Sequence, residues 1–563
     1  MSASIAQPNP MRRADARHRF ATAADKRLYW LVFGFIIAGA ILLARIGQIF
    51  ITGLISGTSV APVTTLERGD IVDRRGVPLA RTIPVHSIRV VRSQLMHDPA
   101  YLAAQLAMIF PDVTEAEFLS RLSGTGSGVI RRRATPAQLN AVNDLSEIGF
   151  EYPVEPERLY PQGVMASHLL GFTTPGRGGA MGVERRFNAQ LTDSATRNTP
   201  LALSMDTRVQ AALELELSDA VTQLAAKGGS GLVLDVDTGE VLAMASLPTF
   251  DPNRVSFANP DAQWNSVSYT TFELGSAFKP ITVAAAMDAG VVTDMARRYD
   301  ATRPLRVGGH TISDSHSANR WLNVPEALVH SSNVVLAQIA DKLGKERLQA
   351  TFRSLEFDRR PHIELSERGR PAWPHNWGRT TTMTAGFGHS IQVTPLHLAS
   401  AYAALVNGGI WRPATVLKIE PGDAPAGRRV FTEATSARMR QLLRMIVASG
   451  TGTRADAPGF RVGGKTGSAE RVINGAYVGN SVVATFAAAF PMDRPRYVVL
   501  VMIDRPPGNA YSMGQRTAGF TAAPVVRKVV TRIGPMLGIY PDAHRDVDIS
   551  ELEPLLWKPR GER

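Results

Sequence analysis

The feature that most constrains the fold of this chain is a set of three short polar clusters that one site would have to bring together. The first is Ser276-Ala277-Phe278-Lys279. Positions i and i+3 share one face of a helix, so Ser276 and Lys279 meet if a helix begins at or just before Ser276. Pro280 would then lie in or near the first turn, where its missing N–H matters least. Serine needs a neighbouring base to become a nucleophile, and a neutral lysine can be that base.

Two further clusters follow in the chain. They are Ser331-Ser332-Asn333, 55 positions beyond Ser276, and Lys465-Thr466-Gly467-Ser468, 134 positions beyond Ser331. An S-x-x-K motif alone is expected by chance about once in a chain of this length, and a helix start with a surface lysine would explain it. All three clusters in this order resemble the signature of penicillin-binding proteins and class A β-lactamases. The trio therefore indicates a serine acyl-transfer site.

The segments around these clusters predict a mixed fold. Asp206 precedes an amphipathic pattern and reads as a helix N-cap, and the apolar period after Asn333 ends at Gly344. Alternating apolar runs predict a hairpin over residues 231–245 and later strands over 481–490 and 497–504. There is neither βαβ alternation nor a fixed repeat, so the fold class is α+β, an antiparallel sheet flanked by helices.

Two other patterns carry structural predictions. Residues 68–80 read as two short strands joined by a tight turn, a surface hairpin with no evident chemistry. Gly463 and Gly464 precede Lys465, and two glycines leave room for a peptide to lie against a strand edge. Helical patterns over 101–110, 114–122 and 136–145 suggest a spacer or docking domain, and the run 131–133 of three arginines suggests a solvated or partner-facing patch.

Length and composition narrow the class of protein. At 563 residues, the chain is long enough for two or three domains. It has no cysteine, which excludes disulfides and thiolate metal sites and fits an extracytoplasmic enzyme. The net charge of +12 comes without a basic helix, zinc pattern or aromatic–basic sheet motif. We therefore expect attraction to anionic lipid or an acidic polymer rather than to nucleic acid.

The N-terminal residues predict a membrane anchor. Residues 28–44 carry no charge, and the apolar run continues past Arg45, which can snorkel, to residue 51. Six basic and two acidic side chains precede this run, which places the N-terminus in the cytoplasm and the remainder outside. A cleaved signal peptide is the alternative, but the run is long for one and no A-x-A site follows it.

Taken together, the chain resembles the class B penicillin-binding proteins, and most closely their division-specific branch. The resemblance covers most of 28–535, including the R-G-x-I-x-D-R-x-G-x-x-L-A element at 68–80, Gly-Val-Glu at 182–184 and Gly-Phe-Gly at 386–388. Leu274 stands where the family usually has proline, and Ser468 replaces a threonine. The implied organisation is a cytoplasmic basic tail (1–27), a single transmembrane signal anchor (28–51), a non-catalytic pedestal domain (60–200) and a transpeptidase domain (201–540). Residues 541–563 are rich in charge and are predicted to form a C-terminal tail.

The resemblance also implies roles for the three clusters. Ser276 would attack the penultimate D-Ala of a stem pentapeptide with Lys279 as general base. Ser331 would relay a proton to the departing amine, and Asn333 would bind the substrate amide and hold Lys279. Lys465 would supply positive potential, and the substrate-binding residues Thr466, Gly467 and Ser468 would receive the terminal carboxylate. No metal or organic cofactor is implied.

The implied partners are peptidoglycan stem peptides, β-lactams as covalent inhibitors, a multi-pass membrane glycosyltransferase and other division proteins. The implied location is the cytoplasmic (inner) membrane with the catalytic domain in the periplasm. Three alternatives remain open at this point. They are an elongation-type transpeptidase, a D,D-carboxypeptidase or β-lactamase-like hydrolase, and a division scaffold with a vestigial catalytic domain.

Overall fold

The structure is a computed structural model that describes residues 30–45, 48, 68–174, 176–255, 259–473 and 476–557. The predicted basic tail, 1–27, lies outside these residues, as do parts of 28–51 and the last six positions. No helix within the described ranges is both long and apolar enough to span a membrane. The described residues form two compact units, one containing Arg89–Val129 and Glu147–Phe150, the other containing 68–88, Ile130–Ser146 and the chain from Glu151 onward.

The fold combines helices and strands that are numbered in chain order. The α-helices are α1 (30–45), α2 (Pro99–Ile109), α3 (Glu115–Leu122), α4 (Pro136–Asn143), α5 (Ser167–Leu170), α6 (Gly182–Arg186), α7 (Asn188–Thr192), α8 (Thr207–Gln223), α9 (Lys279–Asp288), α10 (Val324–Val329), α11 (Asn333–Leu343), α12 (Lys345–Ser354), α13 (Arg379–Ala385), α14 (Pro395–Val406), α15 (Glu433–Ser449) and α16 (Ala522–Met536). The strands are β1 (Ile71–Val72), β2 (Pro78–His86), β3 (Ile88–Val91), β4 (Ser127–Arg131), β5 (Phe150–Glu151), β6 (Val154–Leu159), β7 (Thr173–Thr174), β8 (Gly178–Gly179), β9 (Leu201–Ala202), β10 (Gly228–Asp235), β11 (Val241–Leu247), β12 (Leu305–Val307), β13 (His310–Ile312), β14 (Ile410–Trp411), β15 (Arg428–Arg429), β16 (Gly463–Ile473), β17 (Ala476–Phe490) and β18 (Tyr497–Asp504).

The smaller unit combines two helices with a short sheet. Asp98 caps α2 by accepting from Ala100 N, and Thr114 and Glu117 form a capping box at the start of α3. The apolar faces of these helices bury Leu106 and Phe118. Strand β3 lies between β4 and β5. The helices predicted over 101–110 and 114–122 are confirmed.

The larger unit is built around a five-stranded antiparallel sheet of order β11-β10-β18-β17-β16. Successive residues of each strand enter different cores because side chains alternate across a sheet. On β18, Leu500 belongs to the core that contains α9, α11 and α14, whereas Val501 belongs to the core that contains α8 and α16. Helices therefore cover both faces, and the predicted α+β class is confirmed. Strand β16 is an edge strand, with one side free to face other elements.

Several predicted elements have the expected ends. Asp206 caps α8 with its side chain, and α11 ends at Gly344, whose φ is +85°. The predicted hairpin over 231–245 is β10 paired with β11, and the two later apolar runs are β17 and β18. Capping chemistry and hydrophobic period were thus sufficient to locate these elements.

The hairpin at residues 68–80 is present, but its surface position was a wrong prediction. Arg68 and Asp73 are buried, and β1 also pairs in parallel with β9. Glu184 Oε2 accepts from Arg68 Nη2 at 2.7 Å, and Glu184 Oε1 accepts from Arg158 Nε at 2.6 Å. Asp73 Oδ2 accepts from Thr207 N and Oγ1, which ties the turn to the start of α8. These charged residues are interior because each finds a partner elsewhere in the chain.

Candidate active site

Ser276 lies in a 3₁₀ turn, Gly275–Phe278, that runs directly into α9. The predicted helix start is therefore confirmed, with Pro280 in the first turn of α9. Two hydrogen bonds hold the turn in place: Tyr402 Oη donates to Ala277 O at 2.9 Å, and Gly275 N donates to Gly388 O at 3.2 Å. Its position follows from contacts to α14 and to the segment after α13.

Lys279 is completely buried at the start of α9. Its Nζ donates to Ser331 O and lies 3.1 Å from Ser331 Oγ. Burial lowers the pKa of Lys279 well below its usual value, and the charge of Lys465 lowers it further, while Asp314 acts in the opposite direction. Burial and the nearby Lys465 charge thus favour the neutral amine, the form in which a lysine can accept a proton.

Ser331 is presented by an unusual backbone conformation between two helices. Its φ is +60°, a left-handed value that a serine adopts only at a cost of order 1 kcal/mol. Ser332, the next residue, caps α11 by accepting from Val335 N at 3.1 Å. The chain turns sharply between α10 and α11, and this turn directs both Ser331 O and Ser331 Oγ to Lys279.

Lys465 reaches the same hydroxyl from the sheet. Its Nζ lies 3.0 Å from Ser331 Oγ and 2.9 Å from Thr466 Oγ1, and its side chain is also fully buried. Burial lowers the pKa of Lys465 to about 7. Two ammonium groups around one hydroxyl would repel each other, so the charged form of Lys465 disfavours the charged form of Lys279.

The rest of the third cluster lines the open side of β16. Thr466 Oγ1 is 3.0 Å from Thr451 Oγ1, which follows α15. Ser468 Oγ accepts from Ala518 N at 3.0 Å, which leaves the hydroxyl proton of Ser468 free to be donated. One lysine and two hydroxyl groups therefore stand together, an arrangement suited to a carboxylate.

Asn333 does not contact Lys279 in this structure. Among the described residues, both hydrogen bonds of Lys279 Nζ go to Ser331, and Asn333 Nδ2 donates instead to Ser313 O at 2.9 Å. The backbone N of Asn333 donates to Asp314 Oδ1 at 2.5 Å, and Ser332 Oγ donates to Asp314 Oδ2 at 2.7 Å. Asp314 therefore holds the start of α11 beside the site.

Gly463 and Gly464 of β16 do not have the predicted role of leaving room for a peptide beside the strand. A Cβ on Gly463 would lie 2.3 Å from Met492 Cε, and one on Gly464 would lie 2.6 Å from Ala487 O. These glycines make room for the protein's own chain, and the prediction that they leave space for a peptide is wrong. At Gly467, a Cβ would lie 2.3 Å from Leu274 O, so this glycine allows β16 to approach the turn of Ser276.

Sequence reasoning missed Asp314, Thr451 and Ala518. None belongs to a recognisable motif, because each contributes through contacts with cluster residues that are distant in sequence. Ser276 Oγ, for its part, makes no hydrogen bond to Lys279 or Lys465 within the described part of the chain. Ser276 thus precedes Lys279 by three positions in the same turn, without a hydrogen bond between the two side chains in the described residues.

Fold and site define a serine acyl-transfer domain of the penicillin-binding type, and the comparisons agree. The transpeptidase domain of penicillin-binding proteins matches residues 229–531, and the dimerisation domain of penicillin-binding proteins matches residues 64–194. The chain belongs to the penicillin-binding protein transpeptidase family.

Its relatives include particular named enzymes. It is 38% identical to the probable peptidoglycan D,D-transpeptidase FtsI of Caulobacter vibrioides, over 94% of this chain and 91% of the relative. It is 30% identical to the peptidoglycan D,D-transpeptidase FtsI of Escherichia coli K12, over 86% of each chain. The crystal structure of penicillin-binding protein 3 from Mycobacterium tuberculosis, complexed with aztreonam, has the same fold, with a TM-score of 0.67, 23% identity, and coverage of 84% of this chain and 97% of that one.

Proposed function

We propose that this protein is a peptidoglycan D,D-transpeptidase that cross-links stem peptides through an acyl-enzyme on Ser276. The observation that carries the proposal is the pair of buried lysines, Lys279 and Lys465, that share the Ser331 hydroxyl beside the Ser276 turn. The names of the relatives support the same activity.

In the first half-reaction, Ser276 Oγ attacks the carbonyl carbon of the penultimate D-Ala. Neutral Lys279 takes the hydroxyl proton as the Oγ–C bond forms. The C–N bond to the terminal D-Ala then breaks, and the departing nitrogen receives its proton through Ser331, which contacts both lysines. Backbone N–H groups of Ser276 and Ser468 stabilise the oxyanion, a contribution of about 3 kcal/mol per donor in comparable sites.

The terminal carboxylate of the donor peptide binds at β16. Lys465 supplies positive charge, Thr466 and Ser468 supply hydroxyl donors, and Gly467 lets the strand lie close to Ser276. Asn333 binds the amide of the substrate. In the second half-reaction, an amine from a neighbouring stem peptide attacks the ester carbonyl, and Lys279 takes its proton. The ester C–O bond then breaks, and Lys279 gives that proton to Ser276 Oγ, which regenerates the enzyme as the cross-link forms.

The location and the partners belong to the same proposal. The basic residues 1–27 stay in the cytoplasm, 28–51 anchor the chain in the inner membrane, and the pedestal (60–200) and transpeptidase (201–540) domains work in the periplasm. The charge bias around the apolar run supports this orientation. A multi-pass membrane glycosyltransferase supplies the glycan strands, and β-lactams acylate Ser276 as substrate mimics.

Covalent labelling of the full chain by a fluorescent penicillin tests the proposal. We expect a stable adduct that persists for hours and is lost in Ser276→Ala, with folding of the variant confirmed by circular dichroism. Labelling that survives in Ser276→Ala would disprove the assignment of the nucleophile. An adduct that forms and hydrolyses within minutes would identify a carboxypeptidase or β-lactamase-like hydrolase, and the absence of any adduct would favour the scaffold.

We assign the enzyme to septal synthesis during division, because the relatives at 38% and 30% identity share one name, FtsI. Depletion in the native cell should then give filaments in which elongation continues without septa. Rounded or swollen cells would instead indicate an elongation-type transpeptidase.

A further inference from the structure

Residues 542–557, which we name the C-terminal strap, follow α16 and pack along the larger unit. Asp542 N donates to Gly459 O at 2.9 Å where the strap begins. Leu552 is buried in the main core, and four other apolar side chains of the strap are partly buried against it: Val547, Ile549, Leu555 and Leu556. A segment predicted from its charge to be a loose tail is therefore docked along its length.

The first half of the strap is held by one face of α15. Arg444 Nε donates to Asp546 Oδ2 at 2.7 Å, and Gln441 Nε2 donates to Asp548 O at 2.8 Å. Arg438 forms a more exposed ion pair with Glu551 at 3.2 Å. The exposed Arg438–Glu551 pair adds little stability. The main polar contacts are therefore the Arg444–Asp546 ion pair and the hydrogen bond from Gln441 to the backbone of Asp548.

The second half closes the start of α10. Asn323, the N-cap residue of that helix, donates from Nδ2 to Leu555 O at 2.7 Å. Glu326 is fully buried, and its Oε1 accepts from Trp557 N at 3.0 Å and from Arg320 Nη1 at 2.7 Å. The Arg320 guanidinium also lies over the Trp557 ring, 5.1 Å from its centroid. Because Glu326 is buried, losing one of its donors would be costly.

Residues of the site follow the C-terminal ends of both helices, α10 and α15. After α10, Ser331 N donates to Leu328 O and Ser332 N donates to Ala327 O, so the position of Ser331 follows that of the helix. After α15, Thr451 Oγ1 contacts Thr466 Oγ1 at 3.0 Å. Thr451 N also donates to Val329 O at 3.4 Å, which joins the two helix ends beside the site.

We propose that the C-terminal strap is a positioning element for the reaction. It binds the middle of α15 and the start of α10, and it holds the C-terminal ends of both helices so that Ser331 and Thr451 meet Lys465 and Thr466. Leu555 and Trp557 act through Asn323 and Glu326, and neither touches substrate. The inference rests on the proposed acyl-transfer function but goes beyond it, since it assigns a role to a segment outside every catalytic cluster.

The test uses the full chain and three variants. Ending the chain after Pro541 removes the strap. Asn323→Ser keeps a cap oxygen for α10 but loses the donor to Leu555 O, and Asp546→Ala removes the Arg444 contact. Two matched controls are a chain that ends after Trp557, which retains every described strap contact, and Asp546→Glu, which restores the carboxylate.

Acylation by fluorescent penicillin is measured as a rate constant against pH, with folding followed by circular dichroism. We expect the acylation rate constant to fall about tenfold or more in the strapless chain and about threefold each in Asn323→Ser and Asp546→Ala. The acid limb of the pH profile should also shift in these variants, because Lys279 contacts Ser331 and a displaced Ser331 changes the surroundings of that amine. Both controls should match the parent. If the folded variants show the parent's acylation rates and pH profiles, the proposal is overturned. If the strapless chain does not fold, Asn323→Ser and Asp546→Ala decide whether the strap positions the site.

Hydrogen–deuterium exchange separates this proposal from the proposed function. Peptides that cover α10 and Ser331 should exchange faster in Asn323→Ser than in the parent, whether or not the protein reacts with penicillin. Unchanged exchange there would contradict the strap's role. If penicillin never labels the parent chain but exchange is faster in Asn323→Ser, the proposed function is contradicted and the role of the strap is not.

Discussion

At the scale of single residues, the site depends on two buried lysines around one hydroxyl group. Lys279 and Lys465 are both fully buried and both contact Ser331 Oγ. Burial lowers the pKa of Lys465 to about 7; it also lowers the pKa of Lys279, which the charge of Lys465 lowers further. The extra effect of the neighbouring charge suits Lys279 to the role of base and Lys465 to that of the cation.

This division of roles predicts a bell-shaped pH profile. A lowered pKa means that Lys279 is protonated, and lost as a base, only at a lower pH than an ordinary lysine would be. Loss of the Lys465 proton removes the cation on the alkaline side, so the second-order acylation rate should fall above about pH 7. In Lys465→Arg the cation persists, and the alkaline limb should move to higher pH by about two pH units or more. Lys418→Arg, at a partly exposed lysine, is the control, and identical profiles in all three proteins would contradict the assignment.

Thr466 provides a second prediction at this scale. A hydrogen bond to a charged group contributes about 1.5–3 kcal/mol, so Thr466→Ala should raise the KM for a donor peptide about tenfold or more. The variant should still fold, with a midpoint of unfolding somewhat below that of the parent, because Thr466 is buried and its hydroxyl contacts Thr451 and Lys465. Thr466→Ser retains the hydroxyl and should retain the KM. Steady-state kinetics with both variants measures this, and an equal loss in the two would show that the methyl group matters instead.

At the scale of elements, the site is the place where β16 and the 3₁₀ turn Gly275–Phe278 touch. The contact is so close that a Cβ added to Gly467 would lie 2.3 Å from Leu274 O and 3.1 Å from Ala277 Cβ. Packed interiors give way only partly to added atoms. The spacing of strand and turn therefore sets the distance from Ser276 to the hydroxyl groups of Thr466 and Ser468.

Gly467→Ala should separate the two elements. We expect a loss of about 1–3 kcal/mol in the free energy of unfolding, together with a several-fold lower acylation rate in the folded fraction. Gly378→Ala is the control, since a Cβ there meets nothing within 4 Å. Urea denaturation and penicillin labelling measure the two effects. A Gly467→Ala protein with parental stability and rate would show that the turn can move without consequence.

At the scale of the whole molecule, stability in the larger unit depends on a buried charged cluster that spans the chain. Glu184 pairs with Arg68, 116 positions earlier, and with Arg158, and all three are buried. Removing one member of such a cluster leaves uncompensated charge in the interior. The cluster thereby enforces one arrangement of three distant segments.

Glu184→Gln should destabilise the larger unit by about 3–5 kcal/mol, because two buried arginines lose their counter-charge. Asp70→Asn, which breaks the partly exposed pair with Arg81, should cost about 1 kcal/mol or less. Thermal unfolding of both variants checks this. Equal destabilisation would mean that burial of the cluster is not the cause.

The elements and the three clusters were determined by the sequence alone. Helix caps such as Asp206, the stop at Gly344 and the alternating runs of β10, β11, β17 and β18 are local patterns, and local patterns are set by residues a few positions apart. The proximity of Ser276 and Lys279 follows from helical spacing in the same way. The order of the motifs was enough to indicate the family.

What only the tertiary structure decided depends on contacts between residues far apart in the chain. The left-handed backbone of Ser331, the support of Asp314 and Thr451, and the interior position of Arg68 leave no local pattern. The same holds for the strap, whose charges suggested a solvated tail although Leu552 is buried. Burial and long-range pairing reverse local expectations because a charged group is stable in the interior only where a distant partner meets it, and a lysine becomes a base only where the fold removes water from it.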